Sequence, residues 1–361
     1  MYHKIIALFG SVVFLVLGIT ACGSDSSDDP GVTVDPVEIV APDDIVEPIS
    51  VLINDVSIDT WMYQIQGLDD NTKIDTLAVT DYDMIVVEPG HNFIGFSYDT
   101  DYLVNQLESK SNGDERILLA YVDIGEAEDY RTYWQSDWVA PTENAPGSPS
   151  FLVTIDPDGW TGNYPVAYWQ NEWKDIWLGP DGIVAELANA GFHGIYLDWV
   201  EAYDDDTVRA YAQEEGVNPE EEMMLFIEEI GAAGRAIRSD FIVIAQNAPY
   251  LLDHDPVRYA AMIDAIALED TWFYGEGDAE WGDSNAGDLS GGERHNDEYS
   301  TASRITQNHV YLDFGVPVFT VDYCISESNA NMTYGNSRRE GFVPLVTRVS
   351  LSELTETPPP N

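Results

Sequence analysis

The chain has little positive charge and almost no cysteine. Its 361 residues include 15 Lys and Arg against 65 Asp and Glu, a formal net charge of −50, and Lys4, Lys73, Lys110 and Lys174 are the only lysines. So negative a balance excludes nucleic acid and anionic lipid surfaces as electrostatic partners. Solubility explains it most simply; the functional alternative is attraction of a cationic substrate. The two cysteines are Cys22 and Cys324. Cys22 stands at the end of a signal-like segment, so no intrachain disulfide is expected, and Cys324, inside an apolar run, reads as a buried inert thiol. The six histidines show neither the paired spacing of metal ligands nor a nucleophile–base arrangement with Ser or Cys. Neither a metal nor a cofactor is expected. The N-terminal apolar run, residues 5–17, is too short to span a bilayer comfortably.

That run follows Lys4 and leads into Ile19-Thr20-Ala21-Cys22, the charge, apolar stretch and small-residue site of a secretory signal. It resembles a bacterial lipobox. Residues 1–21 are therefore expected to be a lipoprotein signal, with Cys22 lipidated and the protein exported and held to a membrane, at the outer membrane or cell surface, only by that lipid. Residues 22–50 are rich in Ser, Asp and Pro and carry no Lys or Arg, the composition of a disordered acidic tether. From residue 51 onward 57 acidic residues still face 14 basic ones. One domain is expected over 51–356, with an insert at 275–298.

Apolar runs bounded by turn residues mark eight strands, at 61–66, 84–88, 117–123, 194–199, 242–247, 265–269, 318–323 and 342–347. Helix-like segments alternate with them, among them 103–110, 181–190, 220–238, 299–314 and the stretch around Ser337. In the 220–238 segment Met223, Met224, Ile227, Ile230 and Ile237 recur near helical spacing. Alternation over this length predicts an α/β fold, a single (β/α)8 TIM barrel. A ninth strand-like run, 151–155, is assigned to the long third-to-fourth connection.

Barrel chemistry sits at the C-terminal ends of strands. Glu88, Asp123, Asp198, Asn247, Glu269 and Asp322 all stand at or just beyond the ends of different runs. One such carboxylate is commonly a helix cap; five gathered at one mouth would repel, raising the pKa of at least one and setting an acid beside a base. Thirteen aromatics fall near the same ends: Tyr63, Tyr121, Trp134, Trp138, Trp160, Tyr164, Tyr168, Trp169, Trp173, Trp199, Tyr203, Trp272 and Tyr323. About half are expected to pack helices onto the barrel. Carboxylates with aromatics suit a carbohydrate, whose C–H faces stack on rings and whose hydroxyls seek acceptors.

Several blocks carry a resemblance. Residues 120–134, beginning Ala120-Tyr-Val-Asp-Ile-Gly-Glu126, together with Asn163-Tyr-Pro-Val-Ala-Tyr-Trp169, Gly191-Phe-His-Gly-Ile-Tyr-Leu-Asp-Trp199, Gln246-Asn247, Ala267-Leu-Glu269 and Gly341-Phe-Val-Pro344, resemble glycoside hydrolase family 114, the endo-α-1,4-polygalactosaminidases and their bacterial relatives. The resemblance implies a (β/α)8 glycosidase acting on galactosamine-containing polymers. It also implies a catalytic Asp at the end of strand four and a catalytic Glu at the end of strand six, here Asp198 and Glu269.

Glycosidases need one carboxyl to protonate the leaving oxygen and another to attack or stabilise the anomeric carbon. A gap of about 5–5.5 Å implies retention and about 6.5–9.5 Å inversion. Strands four and six, one neighbour apart, are separated by about 9–10 Å at the backbone, and inward side chains can close that to the retaining range. Asp198 is thus expected as nucleophile and Glu269 as general acid/base. Tyr63, Glu88, Tyr121, Asp123, Glu126, Trp160, Trp199, Asn247, Trp272, Asp322 and Tyr323 are expected to contact substrate. The competing reading is a non-catalytic carbohydrate-binding lipoprotein, which would need no such pair. Within the insert, Asp283-Ser-Asn285 opens like a calcium loop and then departs from the pattern; a glycine-rich lid over the cleft is the expectation there.

Overall fold

The eight apolar runs form the eight strands of one sheet in a computed structural model describing residues 47–89, 99–293 and 299–360. They are β1 (Trp61–Gln64), β2 (Met84–Val87), β3 (Ile117–Asp123), β4 (Gly194–Asp198), β5 (Ile242–Gln246), β6 (Ala265–Glu269), β7 (Val318–Tyr323) and β8 (Val343–Thr347). Neighbours in the sheet follow chain order, and every pairing is parallel. The sheet curls until β8 lies beside β1, where the Trp61 indole donates to the Val343 carbonyl at 3.1 Å. This is the expected (β/α)8 barrel. The described residues belong to the unit Ile39–Asn361; the signal, Cys22 and the tether through residue 46 lie outside them, as do His91 and His295.

Strand ends differ from the apolar runs by a residue or two, for local reasons. The amides of Ile65 and Gln66 donate to the Leu351 carbonyl, at 3.1 and 3.2 Å, so β1 leaves its ladder after Gln64. The 151–155 run stays outside the barrel: Leu152 forms an isolated antiparallel bridge with Val166, and the Val153 amide donates to the Pro165 carbonyl at 2.9 Å. That excursion is organised by the antiparallel pair Glu126–Glu128 and Asn163–Pro165.

The expected helices are realised as Thr100–Leu107, Ile183–Ala190, Pro219–Ile237, Thr301–Asp313 and Glu327–Glu340. The longest shows why. Asn218 caps it by accepting from the Glu221 amide, Pro219 occupies the first turn, and Glu220, Glu221 and Glu222 sit where the helix dipole favours negative charge. Its buried stripe is Met223, Met224, Phe226, Ile227 and Ile230. The helices Asn71–Ala78, Asn171–Leu178, Asp206–Glu215 and Pro256–Met262 were not marked by the apolar pattern; all are short, at ten residues or fewer. No helix among the described residues is long and apolar enough to cross a membrane.

Both faces of the sheet are buried, as a parallel sheet demands; Met84, Ile85, Val86 and Val87 are fully enclosed. Large rings fill the interior. Tyr63 and Tyr196 lie 5.1 Å apart, and Trp61 meets Phe319 edge-on at 5.4 Å, so the barrel is a packed core closed beneath its mouth. Cys324 is fully buried beside Thr333, and burial pushes its thiol pKa up.

Candidate active site

A cavity of about 1200 Å³ opens over the C-terminal ends of the strands. Eleven carboxylate side chains line it among the described residues, against one guanidinium, Arg131. That cation is spent locally. Its Nη1 and Nη2 reach Glu88 Oε1 and Oε2 at 2.8 and 3.0 Å, and its Nε reaches Glu128 Oε2 at 2.6 Å. Glu88, expected to touch substrate, is therefore paired through both oxygens.

Asp198 closes β4 and Glu269 closes β6, and both face this cavity. Asp198 Oδ1 accepts the Trp199 amide at 2.8 Å, and the Tyr121 hydroxyl donates to Oδ2. Burial raises the Asp198 pKa to about 6; the Tyr121 hydrogen bond opposes that rise, and the charge of Glu269 adds to it. Glu269 has more donors. Tyr323 donates to Oε1, while Gln246 Nε2 and Asn247 Nδ2 donate to Oε2 at 2.8 and 2.9 Å. Below them the Tyr63 hydroxyl donates to Gln246 Oε1 at 3.3 Å, tying the cavity floor to Glu269 through one amide.

A second acidic arc lies on the β3–β4 side. Asp123 is the register partner of Asp198; its Oδ1 accepts the amides of Gly125 and Glu126 at 3.0 and 2.8 Å. Burial, then Glu126 and Glu128, push its pKa well above the ordinary range. Glu126, only 1% exposed, accepts from Asn163 Nδ2 at 3.1 Å through Oε2, and its Oε1 is enclosed without a partner. Burial first, then Asp156, raise its pKa to about 9. Glu201, in the turn Val200–Asp204, is half-buried as a residue, yet its Oε2 is sealed and unpartnered. Burial and the charge of Asp198 raise its pKa to about 8.

The strand ends share a backbone feature. Trp199, Asn247 and Asp270, immediately after β4, β5 and β6, have φ of 55°, 52° and 60°. None is glycine, and left-handed backbone at such residues is strained. The turn takes the chain away within one residue of each functional side chain.

Of the residues expected at the mouth, Tyr63, Glu88, Tyr121, Asp123, Glu126, Trp160, Asp198, Trp199, Asn247, Glu269 and Tyr323 line the cavity. Asp322 and Trp272 do not. Successive residues of a strand point to opposite faces, so with Tyr323 facing the cleft Asp322 points away, fully buried, accepting the Trp272 and Phe273 amides. Trp272 is buried with its indole on Ser337 Oγ at 2.8 Å. Among the other aromatics, Trp134 packs on Trp138 and Tyr164 at 5.2 and 5.4 Å. Tyr168, Trp169, Trp173 and Tyr203 are buried in the packed core. Glu128, Arg131, Asp158, Glu201, Gln246 and Asp270 also line the cavity and were not among the site residues expected from sequence.

The insert contributes part of the wall, through Gly275, Gly277 and Asp278. Its base is the antiparallel pair Phe273–Tyr274 and Leu289–Ser290. Two of its carboxylates hold backbone amides: Asp283 accepts the Glu280 amide at 2.9 Å, and Asp288 accepts the Ile325 and Ser326 amides at 3.1 and 3.0 Å. Residues 294–298 lie outside the described residues.

A parallel barrel with carboxylates and aromatics gathered in one cleft at its strand ends has the architecture of a polysaccharide-cleaving hydrolase. The chain belongs to glycoside-hydrolase family GH114, whose family model matches residues 53–359. It is 29% identical over 300 residues to an uncharacterized protein of Deinococcus radiodurans, covering 82% of this chain and 83% of that one. A Thermotoga maritima protein, also uncharacterized, is 32% identical over 223 residues, 60% of each chain. Among solved structures, Aspergillus fumigatus Ega3 in complex with galactosamine superposes with a TM-score of 0.56 at 14% identity, over 85% of this chain and 98% of that one. The glycoside hydrolase domain of PelA from Pseudomonas aeruginosa superposes at 0.55 and 16% identity, over 83% and 98%. At these identities the superpositions speak for the fold.

Proposed function

We propose that the protein is an endo-acting, retaining glycosidase that cleaves α-1,4-linked galactosamine-containing polysaccharide, with Asp198 as nucleophile and Glu269 as general acid/base. The observation that carries the reading is the placement of these two carboxyls on strands one neighbour apart, facing one cleft. Protonated Glu269 gives its proton to the glycosidic oxygen as the C1–O bond breaks, and an Asp198 oxygen bonds to C1. Glu269, now a carboxylate, takes a proton from water, whose oxygen displaces Asp198 and restores both groups. With a pKa of about 6, Asp198 is mostly ionised at neutral pH, as attack requires. Its two donors, Tyr121 and the Trp199 amide, fix where its lone pairs point. The excess of carboxylates over cations in the cleft favours a polymer carrying free amines, and the galactosamine bound in the complex of the similarly folded Ega3 suggests which amino sugar.

The same reading puts the enzyme outside the cytoplasm on a lipid at Cys22, which fatty-acid labelling lost in Cys22→Ala would test. The activity test is incubation of the protein with partly deacetylated polygalactosamine and a panel of neutral glycans, with products read by mass spectrometry and their anomeric configuration by NMR. Asp198→Asn and Glu269→Gln should fold and release nothing. Full turnover by either variant would remove the assignment, and binding without cleavage by the unmodified protein would favour a capture protein instead.

A further inference from the structure

The sequence Asp-x-x-Glu occurs twice in equivalent places, as Asp123-Ile-Gly-Glu126 after β3 and Asp198-Trp-Val-Glu201 after β4. The two turns are packed together. Asp123 and Asp198 are register partners, the Ile124 amide donates to the Asp198 carbonyl at 3.2 Å, and a Cβ on Gly125 would stand 2.1 Å from the Trp199 carbonyl oxygen. Both glutamates line the cleft, and each has one enclosed oxygen with no partner, Glu126 Oε1 and Glu201 Oε2. Three neighbouring carboxylates, by contrast, are supplied: Asp123 by two amides, Asp198 by Tyr121 and an amide, Glu269 by three side chains.

A buried carboxyl oxygen without a donor is costly, and two glutamates that line one cavity and each carry such an oxygen mark where a donor arrives with the ligand. We propose that Glu126 and Glu201 form the recognition site for the ammonium group of an amino-sugar ring. The inference rests on the glycosidase reading and deepens it by naming which residues select a free amine. An ammonium carries three N–H donors and a positive charge. In a 2-amino sugar it is attached to C2, the carbon bonded to C1, so it lies next to the carboxyl that attacks C1. On the opposite side Glu269 is already surrounded by Tyr323, Gln246 and Asn247, which leaves the β3–β4 arc to receive the amine.

The groups facing the pair are almost all acidic. Glu126 faces Asp156, Glu128 and Asp198 as well as the Asn163 amide, and Glu201 faces Asp198, Glu269 and Asp158, with the phenols of Tyr196 and Tyr259 nearby. Arg131, the one guanidinium lining the cleft among the described residues, is held by Glu88 and Glu128. Burial first raises the two pKa values, to about 9 for Glu126 and about 8 for Glu201, which favours the protonated form of each at neutral pH. An arriving ammonium favours the carboxylate, so binding of the amine expels protons. An acetamide has no charge to drive that loss.

The test is isothermal titration of the full chain, blocked by Glu269→Gln, with an α-1,4-galactosamine oligosaccharide at neutral pH in two buffers of different ionisation enthalpy. The expected result is proton release on binding and an affinity loss of about tenfold or more when Glu126→Gln or Glu201→Gln is added. The N-acetylated oligosaccharide should release none. Equal heats in the two buffers would overturn the proposal without any glutamate variant, and unchanged affinity in both Gln variants would do so as well. Gln matches protonated Glu in shape, and thermal melts check that each variant folds. Binding with proton release by a protein that cleaves no glycan would leave this site standing and remove the hydrolytic reading. Cleavage of the amine polymer with KM unchanged in both Gln variants would do the reverse.

Discussion

Tyr121 and Asp198 stand on adjacent parallel strands, and the phenol of the first donates to Oδ2 of the second. The bond stabilises the ionised carboxylate and works against the burial that raises its pKa. Tyr121→Phe should therefore move the acid limb of the kcat/KM profile upward from about pH 6. Loss of a hydrogen bond to a charged group is worth about 1.5–3 kcal/mol, so kcat should fall roughly tenfold to a hundredfold. A pH–rate profile superimposable on that of the parent enzyme would show that Tyr121 only packs.

Glu126 makes stability depend on pH in a definite direction. Its pKa is about 9 folded against 4.5 for the free side chain. Below that window both states hold the proton; within it only the folded state does, so stability falls as pH rises. Glu126→Gln removes this contribution. Its melting temperature should drop less than the parent's between about pH 5 and pH 8, measured by scanning calorimetry; parallel curves would contradict the burial of that carboxyl.

At Gly125 the two Asp-x-x-Glu turns touch. A methyl group there would meet the Trp199 carbonyl at 2.1 Å and Ala202 Cβ at 2.8 Å. Forcing it in should destabilise the protein by about 1–3 kcal/mol and depress activity by displacing Asp198 and Glu201 together. Denaturant melts with steady-state kinetics on Gly125→Ala check both effects; retained activity with lowered stability would mean that the turn yields away from the cleft.

Charge attraction in the cleft predicts a salt effect. Raising ionic strength should raise KM for a deacetylated polymer and leave that for an acetylated one nearly unchanged. Equal dependence for the two would remove electrostatics from the choice of substrate.

The barrel was legible because parallel strands bury both faces and so stand out as apolar runs, and because a run ending in Asp198 or Glu269 announces a carboxylate at a mouth. The direction of a side chain within a run was harder. Asp322 and Tyr323 are adjacent, and only the pleat decides that the tyrosine faces the cleft while the aspartate turns to the Trp272 and Phe273 amides. Glu201 escaped notice because it lies in a short turn beyond the apolar signal, although the repeated Asp-x-x-Glu spacing was there to be read. Arg131 left no periodic trace: its partners Glu88 and Glu128 are 43 and 3 residues away in the chain, and folding alone brings the first of them to it.

The left-handed residues Trp199, Asn247 and Asp270 also bear on how the cleft is dissected. At such positions a side chain is chosen twice, once for what it touches and once for the backbone it must tolerate, and an alanine scan merges the two. Glycine relaxes at positive φ whereas alanine keeps the strain. A paired glycine and alanine scan at these three strand ends would therefore separate the contribution of the ring, amide or carboxylate from that of the hinge carrying it.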